Sequence, residues 1–285
     1  MIEVAILTDS VACLPPDLAQ THHIGIIPVR VSAAGREYHD NEAALPPSTV
    51  RQLQQAPALD TTPWSPEMYR RAYRDAGAAA RSVLHVVAFS QFTSTISQAR
   101  AGAAMAEADL PGLRVVVFDS AATAMSQGFI ALGAARAAAR GASLSDVIAR
   151  AEEIRQRVSA VFVLESLHYL ARTGRVHRLA SWASSLLRVR PVVALEQGHE
   201  HPIALPRSRA QAKRLLLDYI DRTIAAGMPL HVAVMASDDS EEAEWLLARL
   251  QDLYQPEETL FTAFSPVTRS VAGPGVLGVA FYCGA

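Results

Sequence analysis

Three short apolar runs in the first half of the chain each break into a polar turn and then give way to a helical pattern. Ile2 to Leu7 runs into Thr8-Asp9-Ser10, Val83 to Phe89 into Ser90-Gln-Phe-Thr-Ser-Thr95, and Arg114 to Phe118 into Asp119-Ser120. Runs of this length, bounded by polar breaks, read as buried strands. Strand, turn and helix in alternation predict a mainly parallel sheet flanked by helices, an α/β layer. Ligands of such sheets bind beyond the C-terminal ends of the strands. The three polar turns are therefore expected to gather on one edge.

The middle turn carries the most chemistry. Ser90, Thr93, Ser94 and Thr95 place four hydroxyls in six residues, and an alanine-rich helical pattern opens at Ile96. The start of a helix presents unpaired backbone N–H groups and the positive end of its dipole, which together make an anion site. Hydroxyls without lysines suit one modest charge such as a carboxylate. The same residues also suit a plain N-cap by Thr93 or Ser94. A second hydroxyl-bearing loop, Ala56 to Pro66, contains three prolines, Pro57, Pro63 and Pro66, and it precedes a helix expected over 67–81. Proline stiffens such loops, and stiff loops hold ligand-binding side chains well.

Elsewhere the pattern predicts one apolar run over 24–31, a polar excursion over 36–41, a helix from Pro46, and a long alanine-rich helix that stops at Gly141. Ser143 and Asp146 have capping-box spacing, and Leu144, Val147, Ile148, Ala151, Ile154 and Val158 form one apolar face behind them. A domain boundary is expected near Ser159, giving an N-terminal domain over 1–158 and a second α/β domain over 159–285. In the second, Arg188 to Leu195 with Pro191 reads as an edge strand, Gln197 to Pro202 as a hairpin tip, 208–226 and 240–250 as helices, and 230–235, 260–264 and 276–282 as strands.

Composition excludes several classes of function. Half the residues are apolar and the net charge is −2 with both signs interspersed, which argues against a nucleic-acid-binding surface. No run reaches about 18 uninterrupted apolar residues, so no transmembrane segment is expected, and the N-terminus lacks the basic region of a signal peptide. With only Cys13 and Cys283, at opposite ends of the chain, free thiols and a cytoplasmic location are the simpler reading. Nucleophile elbows, phosphate loops and dinucleotide fingerprints are missing. His199-Glu200-His201 offers two metal-type ligands without a third, so no metal site is expected. Asp238-Asp-Ser-Glu-Glu242 reads as acids complementing a helix dipole. Asp9, Ser10, Asp119 and Ser120 could do acid–base work or simply tie down turns. Arg172, Arg175 and Arg178, with Arg207 and Arg209, form positive patches suited to solvent or to a phosphate-bearing partner.

Taken together, these segments resemble the DegV family of fatty-acid-binding proteins. Thr8-Asp-Ser-Val-Ala-Cys-Leu-Pro15 is similar to its N-terminal motif, and Thr61-Thr-Pro-Trp-Ser-Pro66 occupies the place of its Thr-Ser-Gln-Pro-Ser-Pro loop. Ser90 to Ala99 is similar to its Ser-x-x-Leu-Ser-Gly-Thr-Tyr segment, and Val117-Phe-Asp-Ser120 with Ser126-Gln-Gly128 to its Asp-Ser and Ser-x-Gly elements. Leu164 to Val176, Arg190-Pro-Val-Val and Gly273-Pro-Gly-Val-Leu-Gly-Val279 match its later motifs in order. Seven motifs in register cover nearly the whole chain.

The resemblance implies two α/β domains with a fatty acid such as palmitate or oleate between them, its carboxylate on Thr61, Thr62, Thr93 and Ser94 and its tail in an apolar tunnel. It implies no cofactor and no catalysis by the chain itself. In some members a separate fatty-acid kinase phosphorylates the presented carboxylate, with head-group contacts that carry over to Arg175 and Arg207. Three departures stand out. Thr93-Ser94 replaces Ser-Gly, Pro63-Trp64 replaces Gln-Pro and sets a large ring near the head group, and Val271 stands where the family has a histidine. A C16 tail offers on the order of 10 kcal/mol at about 0.8 kcal/mol per buried methylene, so the tail is expected to dominate affinity. The competing reading is a small-molecule hydrolase or transferase using the Asp/Ser cluster. A third is a lipid-sensing module that docks a partner through Arg172, Arg175 and Arg178.

Overall fold

The computed structural model describes residues 2–40, 45–91, 93–171, 189–225, 227–237 and 241–284. Two compact units emerge. One comprises Met1–Ser32, Glu37–Asn41 and Thr61–Gln156, the other Ala33–Arg36, Glu42–Asp60 and Arg157–Ala285.

The first unit is built on four parallel strands, β1 (Ile2–Asp9), β2 (Ile24–Ile27), β5 (Ala80–Val87) and β6 (Arg114–Asp119), in the order β2-β1-β5-β6. Strand order reverses between β1 and β5, the kind of switch point where open α/β sheets bind ligands. The short helix α1 (Pro16–Thr21) leads from β1 to β2. The run expected as one strand over 24–31 is split at Pro28 into β2 and β3 (Arg30–Ala33). Proline has no N–H to give to a ladder. The polar excursion turns out to be β4 (Arg36–His39), which pairs with β3 in a two-stranded sheet.

Helices cover both sheet faces. On one, Tyr69 and Tyr73 of α3 (Pro66–Gly77) and Ala99, Ala103 and Ala106 of α4 (Thr95–Asp109) pack on Leu7, Val83, Val87 and Val115. These two helices approach closely at Gly102, where an added Cβ would lie 2.5 Å from the Tyr69 Cβ and 2.6 Å from the Pro66 carbonyl oxygen. On the other lies α5 (Ala124–Ala139), with Phe129, Ile130 and Leu132 fully buried, and α6 (Leu144–Arg157) beside it. An alanine-rich helix apolar on every side is a buried helix, and α5 is covered almost throughout. Ser143 accepts the Asp146 N–H at 3.3 Å, as its spacing predicts.

The second unit centres on a six-stranded mixed sheet in the order β11-β10-β12-β7-β8-β9. Its strands are β7 (Ser159–Val163), β8 (Val192–Glu196), β9 (His199–Ala204), β10 (Leu230–Ala236), β11 (Glu258–Ala263) and β12 (Leu277–Cys283). Only β10 and β11 run parallel. Helices α2 (Pro47–Gln55), α7 (His168–Ala171), α8 (Arg209–Thr223), α9 (Glu241–Tyr254) and α10 (Pro266–Ala272) belong to this unit. Its core joins Val161, Val163, Leu216, Ile220, Val232, Val234, Leu246 and Val279.

Two expectations need correction here. Pro191 precedes its strand, and β8 lies inside the sheet; the edge strand is β9, which tolerates Pro202. His199 to Pro202 are strand residues, and the turn before them is made by Gln197 and Gly198, both with positive φ. Cys13 and Cys283 are buried and unbridged.

Candidate functional site

Helix α3 precedes β5 and α4 follows it, so both helices start at the C-terminal edge of the first sheet. That topology brings the segment 61–65 and the turn 90–95 to one edge.

Segment 61–65 has no helix or strand bonding of its own, and Thr61 and Thr62 are half-buried within it. Its far end is fastened from outside. The Trp64 indole N–H donates to the Pro28 carbonyl at 2.6 Å, and its ring meets His39 edge-on at 4.8 Å between centroids. Arg30 donates through Nη2 to the Pro63 carbonyl at 2.8 Å, and its guanidinium lies 4.9 Å from the Trp64 ring centre. The ring expected near the head group thus packs against the β3–β4 hairpin.

At the second segment, Thr93 Oγ1 accepts the Thr95 N–H at 3.2 Å and lies 2.9 Å from the Thr95 hydroxyl. Ser94 occupies the N-cap position with φ −85° and ψ 10°, and its side chain makes no capping bond. Ser94 is exposed at the start of α4, where the helix dipole favours negative charge. Neither residue is the simple N-cap that the pattern also allowed.

Tyr69 stands between these segments. Burial pushes its phenol well above the usual range and the Asp9 carboxylate adds to the shift, while hydrogen bonding with the Thr95 side chain and the Trp64 backbone works the other way. Behind it, the Tyr73 hydroxyl lies 2.7 Å from His85 Nδ1, and His85 Nε2 lies 3.4 Å from Asp9 Oδ1. The order Tyr, His, Asp imitates a catalytic relay. Yet Tyr73 and His85 are 0% exposed and Asp9 1%, so a substrate cannot reach them. Burial drives the Tyr73 phenol upward too.

The remaining strand-end acids and hydroxyls are occupied by backbone. Asp9 Oδ2 accepts the Ala88 N–H at 2.8 Å, and Asp119 Oδ1 accepts those of Ser90 at 3.2 Å and Ala121 at 3.0 Å. Ser120 bonds both polar groups of Ala122, and Ser10 donates to Asp40 while accepting the Val29 N–H. Thr8 donates to the Val86 carbonyl and accepts from Gln127. Asp119→Ala is therefore expected to lower the unfolding free energy by about 2 kcal/mol, the cost of orphaned turn N–H groups, whereas Asp119→Asn, which keeps an acceptor, costs under about 1 kcal/mol. Urea denaturation of the two variants checks this; equal losses would refute the anchoring role.

Arg207 is exposed just ahead of the α8 N-cap Ser208, while Arg209 is paired with Glu242 at 2.8 Å. Arg172, Arg175, Arg178 and Asp238 to Ser240 lie outside the described residues. Val271 sits half-buried in α10. Among the described residues no group of three or more His, Cys, Asp or Glu could hold a metal, and no helix is long and apolar enough to cross a membrane. Sequence reasoning passed over Arg30 and Tyr69, and counted Thr95 among the turn's hydroxyls without giving it a role. Only the hydroxyl run around Thr95 left any trace in the pattern.

The sequence model of the DegV family matches residues 3–283. A DegV domain-containing protein of Streptomyces coelicolor is 30% identical over 280 residues, 97% of each chain. Among solved structures, a DegV family protein from Thermus thermophilus, described by its fatty acid binding, superposes with a TM-score of 0.88 at 26% identity, covering 99% of this chain and 100% of that one. DegV from Bacillus subtilis, described as a fatty acid binding protein, gives 0.84 at 26% identity, covering 100% of both.

Proposed function

The chain belongs to the DegV family, and on that premise we propose that it binds one long-chain fatty acid as a carrier rather than as a catalyst. The carboxylate rests on the hydroxyls of Thr61, Thr62, Thr93 and Ser94, and the acyl chain occupies a buried apolar tunnel. One observation supports this most: two hydroxyl-bearing segments share the sheet edge where α4 begins without a side-chain cap. Charge-assisted hydrogen bonds and the helix dipole both favour an anion there. Fatty-acid binding by two solved relatives of matching fold supports the ligand class.

A cytoplasmic carrier of this kind delivers its lipid by presenting the head group to a separate fatty-acid kinase, with Arg175 and Arg207 as the contacts. Val271 in place of the family's histidine makes lipid binding the firmer half of this reading.

Mass spectrometry of an organic extract from natively purified protein tests the proposal. Stoichiometric long-chain fatty acid is the expected result. An empty extract, together with no uptake of added palmitate or oleate, would overturn it.

A further inference from the structure

We propose that Arg30 is a positioning residue for the Thr61 and Thr62 hydroxyls, acting through the fork and flat face of its guanidinium rather than through its charge. The inference rests on the fatty-acid reading above and deepens it.

Three engagements meet on this one side chain. Nη2 donates to the Pro63 carbonyl at 2.8 Å, Nη1 meets Glu37 Oε2 at 2.9 Å, and the guanidinium carbon lies 4.9 Å from the centre of the Trp64 ring. Trp64 is fixed independently by its indole bond to the Pro28 carbonyl at 2.6 Å. The two residues that follow Thr62 are thus held by Pro28 and Arg30, and Glu37 in turn holds Arg30.

The local chain needs that support. Segment 61–65 has no helix or strand hydrogen bonds of its own, and Pro63 has no N–H to anchor it. A threonine hydroxyl grips a carboxylate only within a narrow range of distance and angle, so a loop free to drift would lose that grip. Pro63 is the neighbour of Thr62, and its carbonyl is the atom Arg30 holds.

Charge is the weaker explanation. The Glu37 carboxylate neutralises the guanidinium at 2.9 Å, and about a fifth of the Arg30 side chain (21%) reaches solvent, which screens what remains. A lysine would keep the charge but could not bridge Pro63 and Glu37 with a rigid fork while lying over the Trp64 ring.

The test measures binding of palmitate and of methyl palmitate, which has the same tail without the anionic head, to delipidated wild type, Arg30→Gln and Arg30→Lys. Both variants are expected to bind palmitate about tenfold more weakly and to hold methyl palmitate within about threefold of wild type. Palmitate affinity in Arg30→Lys equal to wild type would assign the effect to charge and overturn the proposal. Equal weakening of both ligands would assign Arg30 to general stability and overturn it as well, as would an unchanged Arg30→Gln. Wild type that takes up neither ligand would instead bring down the fatty-acid reading on which this one stands.

Discussion

Replacing Thr62 and Thr93 together by valine is expected to weaken palmitate binding by roughly 10²- to 10⁴-fold. Each hydroxyl bonded to a carboxylate contributes about 1.5–3 kcal/mol, and about 1.4 kcal/mol is a factor of ten. The tail still offers on the order of 10 kcal/mol, so the variant retains some affinity at high ligand concentration while losing its lipid during purification. Titration calorimetry on delipidated protein reads the first effect and mass spectrometry of the extract the second. Each single substitution should show a smaller loss, and the pair will be less than additive if the two hydroxyls grip the same oxygen. Thr93→Val also removes the acceptor of the Thr95 N–H, so a melting curve must accompany the titration. Wild-type palmitate affinity in a folded double variant would place the head group elsewhere.

The second large effect is expected at a residue that touches no ligand. Gly102→Ala would set a Cβ 2.5 Å from that of Tyr69, 2.6 Å from the Pro66 carbonyl and 2.9 Å from the Arg70 nitrogen. Two of those atoms are backbone, so no rotamer change relieves the overlap, and α3 must move away from α4. Overpacking of this kind costs roughly 2–3 kcal/mol, against which alanine's helix preference returns about 1 kcal/mol. The net loss is then about 1–2 kcal/mol, or roughly 2–8 °C in melting temperature. Since α3 carries segment 61–65 and α4 carries the turn at 93–94, palmitate affinity should fall with it. Gly133→Ala is the control. Its Cβ would meet chiefly the Ile154 Cδ1, the movable end of a side chain, so a stability change under about 1 kcal/mol and unchanged palmitate affinity are expected. If the two glycines behave alike, the backbone argument fails.

How far the pattern reached follows from what each element needs. Strands β1 and β5 are largely buried on both faces, and β6, though half-buried at the sheet edge, carries the same kind of apolar run; these continuous runs are the ones from which the strands were read. Strand β4, mostly exposed and rich in charge (Arg36, Glu37, His39), leaves no such trace. Pro28 and Pro191 each misled for one reason. A proline marks where a ladder bond is missing but does not tell whether it interrupts a strand or precedes one. Helix α10, seven residues opened by Ser265 and Pro266, is shorter than a periodicity can declare. At the site, the hydroxyls of Thr93 and Ser94 were legible because a turn and the helix it opens are adjacent in sequence. Arg30 was not, because its partner Pro63 lies 33 residues away and only tertiary folding joins them. Tyr69 left no signal within its helix, since nothing local reveals which hydroxyl it meets.

The order of the six-stranded sheet bears on how the chain is born. Strand β12 lies between β10 and β7, although it follows every strand it joins in sequence. During synthesis the pieces on either side leave the ribosome with unpaired inner edges, and these stay open until residues 277–283 emerge. Open edges of this kind invite pairing with other chains. The first sheet has no such delay, because its last strand is complete at Asp119. A nascent chain halted before Leu277 would then carry one complete parallel sheet and one sheet still divided, with edges open to misassembly.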